Sequence, residues 1–315
     1  MLARVANNLF WMGRYIERSE YIARYLNVNY FSSLDAPHPL SQSRQFVLRS
    51  MLFMMGQPVS DPDLELDEEE VFFDITFNEE NPFSLINNVN YARDNANSSR
   101  DQMSTELYES INKFYHAVQN YPVEFFKKKG LYDFTVYVTE MTAVLRGKIR
   151  GTILHDEIYA IIMLGINLER ATQIVRIINA KYNDAKLAKG SYGDAFRNSY
   201  EWTTLLKCGE SYDMHRRLNK KAPNSISTLN FMLLNAQNPK SVMNCLNQVY
   251  NHILVLDSSL INDKSTVKFY IGKIRSEYEF KIATEIEDDI QENIDDLLNK
   301  LTIISQKIEE EYFNY

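Results

Sequence analysis

The apolar positions along the chain follow a helical pattern. From Val5 to Leu26 they recur at steps of three and four residues or multiples of them, which is the spacing of one face of an α-helix. Aromatic residues occupy the other faces of this segment, so we expect a central helix that is buried nearly all round. The same periodicity predicts further helices around 43–56, 133–153, 156–184, 195–220, 225–235, 240–257 and 282–312.

A long helical region is also predicted from about 82 to 119. Pro82 suits its first helical position, where the missing amide hydrogen has no partner to lose, and a kink is expected near Ser98–Ser99. The chain should break at 32–42, which contains two prolines, and at the glycine-containing segment 189–194. Any short stretch with the alternating pattern of a strand has helical patterns on both sides. The sequence therefore predicts an all-α multi-helix bundle.

The segment 282–312 has the clearest amphipathic pattern. Its apolar residues form one stripe, with acidic residues opposite: Ile286, Ile290, Ile294, Leu297, Leu301, Ile304 and Ile308. We expect this stripe to pack on the body of the bundle. A dimerising coiled coil is the alternative, and it would make the protein a homo-oligomer.

Two segments of the chain repeat one another. "FWMGRYIERSEYIARYL" (10–26) aligns without gaps with "IMLGINLERATQIVRII" (162–178). The identical positions include Gly13 and Gly165, Glu17 and Glu169, Arg18 and Arg170, and Arg24 and Arg176. Each segment lies near the start of one half of the chain. We therefore expect one domain with two related halves, about 1–153 and 154–315, each centred on a Gly-x-x-x-Glu-Arg helix.

The charged residues of these segments lie among apolar ones, which leaves two interpretations. If the two helices pack together, Glu17 can pair with Arg170 and Glu169 with Arg18, while the two glycines permit close approach. Alternatively, the surplus arginines form a site for an anion or carboxylate, which guanidinium groups recognise well. The candidate network comprises Arg14, Glu17, Arg18, Arg24, Arg93, Arg100, Glu169, Arg170 and Arg176.

Arg14 differs from the other members because Ile166 takes its place in the second segment. A residue present in only one of the two segments is expected to be freer to serve a site. Arg93 and Arg100 lie in a separate polar stretch, seven positions apart, and would share one face of the predicted helix. That stretch forms either a polar interior seam or a substrate pocket.

Composition and charge exclude several classes of function. The 315 residues are 45% hydrophobic and 24% charged, as in ordinary globular proteins. The formal net charge of -8 argues against non-specific nucleic-acid binding. The longest apolar stretch, 159–166, is shorter than the about 20 residues of a membrane span.

Other sequence features predict a cytoplasmic protein without a bound cofactor. Two cysteines without a CxxC pattern, Cys208 and Cys245, indicate reduced buried thiols, and Arg4 and Arg14 interrupt any signal-peptide-like apolar run. No P-loop or GxGxxG occurs, and the histidines lack HxxxH or HExxH spacing. We therefore expect no cofactor and no metal site.

Four stretches together resemble the bacterial alpha-E family, a predicted all-helical family named for its Glu-Arg motif. They are spread over most of the chain: "MLARVANNLFWMGRYIERSEYIARYL" (1–26), "ARDNANSSRDQMSTELYESIN" (92–112), "IMLGINLERATQIV" (162–175) and "NFMLLNAQNPKSVMNCL" (230–246). The chain departs from the family pattern at Ile166 and Lys240, where Arg is usual.

The resemblance implies a role beside circularly permuted ATP-grasp ligases, with which members of the family keep company. We therefore expect a non-catalytic helical partner that binds such a ligase or its peptide substrate. The alternative is an independent enzyme acting on an amino-acid or peptide carboxylate. In that enzyme Glu17 would be the acid or base, and Arg14, Arg18 and Arg93 would clamp the substrate.

Overall fold

Two long helices, α1 (Ala3–Leu34) and α8 (Glu157–Leu187), lie side by side at the centre of the molecule. They run in the same direction, since Phe10 lies against Gly165 near their beginnings and Tyr25 against Lys181 near their ends. The computed structural model describes residues 2–34, 43–126, 130–187, 194–258 and 263–313.

Shorter helices surround this central pair. Those of the first half are α2 (Arg44–Met54), α3 (Glu68–Thr76), α4 (Leu85–Ser98), α5 (Thr105–Gln119), α6 (Val123–Phe125) and α7 (Leu131–Thr152). Those of the second half are α9 (Asp194–Cys208), α10 (Tyr212–Asn219), α11 (Ser225–Leu229), α12 (Val242–Leu256), α13 (Val267–Phe280), α14 (Ala283–Asp288) and α15 (Ile290–Tyr312). α4 and α7 pack on α1, whereas α12 and α15 pack on α8. The described residues contain no strand, so the predicted all-α class is confirmed.

Most of these helices begin at a short polar side chain that accepts a hydrogen bond from the first turn. The capping residues are Ser43, Asp67, Ser84, Ser104, Asn224, Ser241, Thr266 and Asp289. Such a cap satisfies an otherwise unpaired amide and contributes about 1 kcal/mol. It also corrects the expectation for Pro82, because the Ser84 side chain caps the helix and α4 begins only at Leu85.

Three predicted helices are divided in the structure. The region 82–119 is two helices, separated by a 3-10 turn at Arg100–Gln102 rather than by a kink. The region 195–220 is broken where Glu210 adopts a positive φ of 52°, and the C-terminal segment is broken at Asp289. At the predicted break 32–42, α1 continues through Leu34, and residues 35–42 lie outside the described residues. Of the other predicted break, 189–194, only Asp194 is described.

The C-terminal stripe faces the core. The side chains of α15 that are buried include Ile290, Ile294, Leu297, Leu301, Ile304 and Ile308, and the helix packs on α8 and α13. The prediction that this segment packs on the bundle is confirmed. A homo-oligomer would have to form through another surface, and it stays a prediction, as does the division into halves at residue 153.

α8 is buried on nearly every side. By length and composition it could cross a membrane, but 83% of its most apolar 18-residue window is buried inside the protein. This is the burial expected of a central core helix. The buried set includes four charged residues, Glu169, Arg170, Lys181 and Asp184, which must find partners inside the protein because an isolated buried charge is very costly.

Candidate functional site

Two salt bridges cross between α1 and α8 at the centre of their contact. Nε of Arg170 donates to Oε1 of Glu17 at 2.6 Å, and Nε of Arg18 donates to Oε1 of Glu169 at 2.6 Å. Each glutamate therefore pairs with the arginine that follows the other glutamate in the sequence. These are the two contacts that the repeated Glu-Arg dipeptide predicts.

Glycine at the crossing point brings the helices close enough for these bonds. A Cβ atom placed on Gly165 would lie 2.1 Å from the carbonyl oxygen of Phe10, and one on Gly13 would lie 2.5 Å from that of Ile162. Both obstacles are backbone atoms, so they could yield only by displacement of a whole helix. The two glycines thus permit the close approach expected of them.

Glu169 is the centre of a buried group, here called the Glu169 network. Its members are Arg14, Arg18, Glu169, Gln173 and Ser305. Nε of Arg14 donates to Oε2 of Glu169 at 2.8 Å, and the Gln173 amide donates to Oε1 at 2.7 Å. Burial alone would raise the pKa of the Glu169 carboxyl, but the charges of Arg18 and Arg14 outweigh it and lower the pKa well below its usual range.

Arg14 is a structural member of this network, contrary to the expectation that it is freer to serve a site. Besides Glu169, its guanidinium donates from Nη1 to Oγ of Ser305 on α15 at 2.7 Å. It lies 4.8 Å from the centroid of the Trp11 ring and is only 9% exposed. Ile166, which takes its place in the second segment, is an ordinary core residue with 0% exposure.

Glu17 is the centre of a second buried group, the Glu17 network. Its members are Glu17, Glu20, Arg24, Arg146, Arg170, Glu210 and Lys240. Burial alone would raise the pKa of Glu17, but Arg170, Lys240 and Arg146 overcome this and lower it to about 2. Burial lowers the pKa of Lys240 to about 8, against the pull of Glu17.

Every cation of the Glu17 network has a carboxylate partner. Arg146 on α7 pairs with Glu20, and Arg24 donates to Glu20 at 2.9 Å. Lys240, just before α12, lies 3.0 Å from a carboxylate oxygen of Glu210. Positive and negative charge are thus interleaved throughout this group, and each of its cations already contacts a carboxylate.

An open cleft of about 460 Å³ lies beside the Glu169 network. α1, α2, α4, α8 and the segment before α4 line it, with Trp11, Tyr15, Arg18, Ile22, Met54, Met55, Pro82, Phe83, Tyr91, Gln173 and Arg176. The rings of Trp11 and Tyr15 are 5.5 Å apart and those of Tyr15 and Tyr91 are 5.2 Å apart. These three rings form the aromatic wall of the cleft.

The charge that lines the cleft is positive. Arg18 and Arg176 contribute guanidinium groups, and none of the described lining residues is acidic. Arg18 is held by Glu169, whereas within the described part of the chain Arg176 has no carboxylate at ion-pair distance. The arrangement can therefore hold an anion beside an apolar group, because both kinds of surface meet in one cavity.

Arg93 and Arg100 lie apart from both networks. Arg93 donates to Oδ1 of Asn112 at 3.1 Å and lies over the ring of Tyr115, while Arg100 lies over the ring of Tyr108. They are not on one helical face, because α4 ends at Ser98 and Arg100 belongs to the 3-10 turn. The expectation of a shared interior seam is therefore wrong, and Arg93 does not join Arg14 and Arg18 as a clamp.

Several residues that complete the site are absent from the candidate list drawn from the sequence, among them Arg146, Lys240 and Tyr91. Arg146 and Lys240 reach Glu17 from α7 and from the turn before α12, and only the departure from the family pattern had drawn attention to Lys240. Tyr91 completes the aromatic wall from α4. In the described part of the chain, no three His, Cys, Asp or Glu side chains come together as metal ligands.

Comparison with known proteins gives one match. The family model Alpha-E, described as a predicted alpha-helical domain with a conserved ER motif, matches residues 1–313. No curated protein and no solved structure matches the chain. The chain carries the Glu-Arg dipeptide twice, at 17–18 and 169–170, and both copies lie in the crossed salt bridges of α1 and α8.

Proposed function

The chain belongs to the Alpha-E family, and we propose that it is a non-catalytic helical partner of an ATP-grasp-type peptide or amide ligase. In this role it acts in the cytoplasm and binds the ligase or the peptide substrate of the ligase. The observation that carries the proposal is the cleft beside the Glu169 network. It combines an aromatic wall with the exposed side chain of Arg176, which has no described carboxylate at ion-pair distance.

The state of Glu17 supports binding rather than catalysis. A general acid or base works best when its pKa lies near the operating pH, whereas the pKa of Glu17 is lowered to about 2. Glu17 is also fully buried and is not among the residues that line the cleft. These properties argue against the alternative, an independent enzyme with Glu17 as its acid or base.

The charge of the cleft supports a peptide-like ligand. Peptides and amino acids carry carboxylates, and arginine binds carboxylates through paired hydrogen bonds. The apolar part of such a ligand would meet the rings of Trp11, Tyr15 and Tyr91, where aromatic side chains supply a large contact area. A purely hydrophobic or purely charged cavity would serve such a ligand less well.

The test is capture of an ATP-grasp-type ligase from the same genome, with the purified chain as bait. The assay is run with and without ATP and with and without candidate peptide substrates. We expect the ligase to be retained in at least one of these four conditions. No retention in any of them would refute the ligase role.

Arg176→Gln separates the two forms of the proposal. If a peptide bound in the cleft bridges the two proteins, this variant loses the peptide-dependent part of the capture. If the ligase contacts another surface, capture is unchanged. Arg216→Gln is the matched control, because Arg216 is an exposed arginine on α10, with a side-chain exposure of 68%.

A further inference from the structure

Arg24 and Arg176 occupy equivalent positions in the two repeated segments, but their surroundings differ. Arg24 donates to Oε1 of Glu20 at 2.9 Å and lies 3.4 Å from Glu210. Among the described residues, no carboxylate lies within ion-pair distance of Arg176. The same side chain is therefore ion-paired in one segment and has no ion pair to a described carboxylate in the other, although Glu169 acts on it from a longer distance.

The sequence explains this difference by one substitution. Glu20 precedes Arg24 by four positions, and a Glu four residues before a cation is well placed to pair with it on a helix. The equivalent residue before Arg176 is Thr172, whose hydroxyl donates to the carbonyl oxygen of Leu168 in its own helix. α8 thus lacks a carboxylate four residues before Arg176 that could form an ion pair with it.

The other polar and aromatic residues near Arg176 in the cleft are held in place by one another. Glu169 holds Arg18 through two bonds, from Nε at 2.6 Å and from Nη2 at 3.0 Å. Arg18 in turn lies 5.5 Å from the centroid of the Tyr15 ring. Arg18 and the Tyr15 ring beside it are therefore held in place in the free protein, so a ligand pays little conformational entropy to order them.

We propose that the cleft binds a carboxylate attached to an aromatic or apolar group, with Arg176 receiving the carboxylate and the wall of Trp11, Tyr15 and Tyr91 receiving the apolar part. The ligand's carboxylate takes the place that Glu20 fills in the first segment. This inference rests on the proposed binding function and names its ligand class. The C-terminal end of a peptide with an apolar last residue has this chemistry.

A carboxylate fits the cleft better than a phosphate. Of the two guanidinium groups that line it, Arg18 already donates two hydrogen bonds to Glu169, so Arg176 is the one without an ion pair to a described carboxylate. One planar guanidinium matches one planar carboxylate in two parallel hydrogen bonds. A phosphate monoester has three acceptor oxygens, and the paired hydrogen bonds of one guanidinium leave the third oxygen without a donor from Arg176.

Calorimetric titration with three small probes tests the ligand class. The probes are N-acetyl-L-phenylalanine, its amide, and phenyl phosphate. We expect the acid to bind at least about tenfold more tightly than the amide, a difference of about 1.4 kcal/mol, and phenyl phosphate to bind no more tightly than the acid. Equal binding of acid and amide, tighter binding of phenyl phosphate, or no binding of the acid would each overturn the proposal.

Two variants test the part played by Arg176. Arg176→Gln removes the cation, whereas Thr172→Glu keeps it and restores the acid found in the first segment. Each is expected to weaken binding of the acid at least about tenfold and to leave binding of the amide within about twofold. Arg216→Gln is the control and should change neither. Unchanged binding of the acid to both variants would place the carboxylate elsewhere and refute the assignment.

The two proposals can fail separately. Thermal unfolding first establishes that each variant is folded, and Thr172→Glu removes no existing ion pair. If the ligase is not captured but the acid binds as expected, the ligase role fails and the carboxylate site stands. If the ligase is captured but no probe binds, the carboxylate site fails and the ligase role stands.

Discussion

Replacing Glu17 by glutamine keeps the shape of the side chain and removes its charge. Arg170 then remains at the contact of α1 and α8, 6% exposed, without the carboxylate that now lies 2.6 Å from its Nε. Removal of one partner from a buried ion pair costs about 3–5 kcal/mol, because the other charge is left uncompensated. We expect Glu17→Gln to lower the free energy of unfolding by that amount at neutral pH.

The pKa of Glu17 gives a second, independent magnitude. Its value falls from 4.5 for an ordinary glutamate to about 2 in the folded protein. Each pKa unit corresponds to about 1.4 kcal/mol, so ionisation of Glu17 stabilises the fold by about 3 kcal/mol. Because the folded pKa is the lower one, this stabilisation is complete above the unfolded pKa and is lost as the pH falls towards 2.

Urea unfolding followed by circular dichroism measures both effects. The cost of Glu17→Gln should be smaller at pH 3.5 than at pH 7 by roughly 1 kcal/mol, because at pH 3.5 the unfolded chain protonates Glu17 while the native protein keeps it ionised. Glu279→Gln is the control: Glu279 is exposed and its carboxylate lies 3.9 Å from the half-buried Arg275, so its removal should cost less than about 0.5 kcal/mol. If Glu17→Gln costs no more than this control, or costs the same at both pH values, the reasoning is refuted.

Two further predictions concern packing and thiol chemistry. Gly165→Ala should destabilise the fold by about 3 kcal/mol, because the new Cβ would meet the backbone of Phe10. Gly147→Ala is the control: a Cβ there has open space, and the change should stabilise the fold by about 0.5–1 kcal/mol. Urea unfolding measures both free energies, and equal effects would contradict the close approach of α1 and α8 at Gly165. Burial raises the pKa of Cys208 and of Cys245 to about 12, so both thiols should react with Ellman's reagent at pH 8 only after unfolding, and labelling of the native protein would contradict their burial.

The crossed salt bridges could be predicted from the sequence because all four partners belong to one repeated dipeptide. A glycine at a constant distance before each Glu-Arg pair also indicated close packing of two like helices. By contrast, Arg146 and Lys240 come from elements with no counterpart in the repeat. Their approach to Glu17 depends on how α7 and α12 pack against α1 and α8. Tertiary packing of this kind cannot be predicted from the periodicity of a single segment.

Helix boundaries were harder to predict than helices. The C-terminal stripe hides the break at Asp289, since Ile286 and Ile290 stay in phase and are both buried on either side of it. α13 was missed although Val267, Ile271, Ile274 and Tyr278 recur at helical steps and are buried. Charged residues between them dilute the pattern in so short a segment. The aromatic wall was invisible for a different reason, because Tyr91 meets Tyr15 only through tertiary packing of α4 on α1.

The crossed pairs also set an order of events during synthesis. Glu17 and Arg18 bond to residues 153 and 151 positions later in the chain. At the usual pace of translation, α8 leaves the ribosome about 8–30 seconds after α1. Until then Glu17 lacks Arg170 and Arg18 lacks Glu169, and the apolar faces of α1 have no central helix to cover them. We expect the native core to close only after α8 has been made, so nascent chains that stop before α8 should remain sensitive to protease and dependent on chaperones.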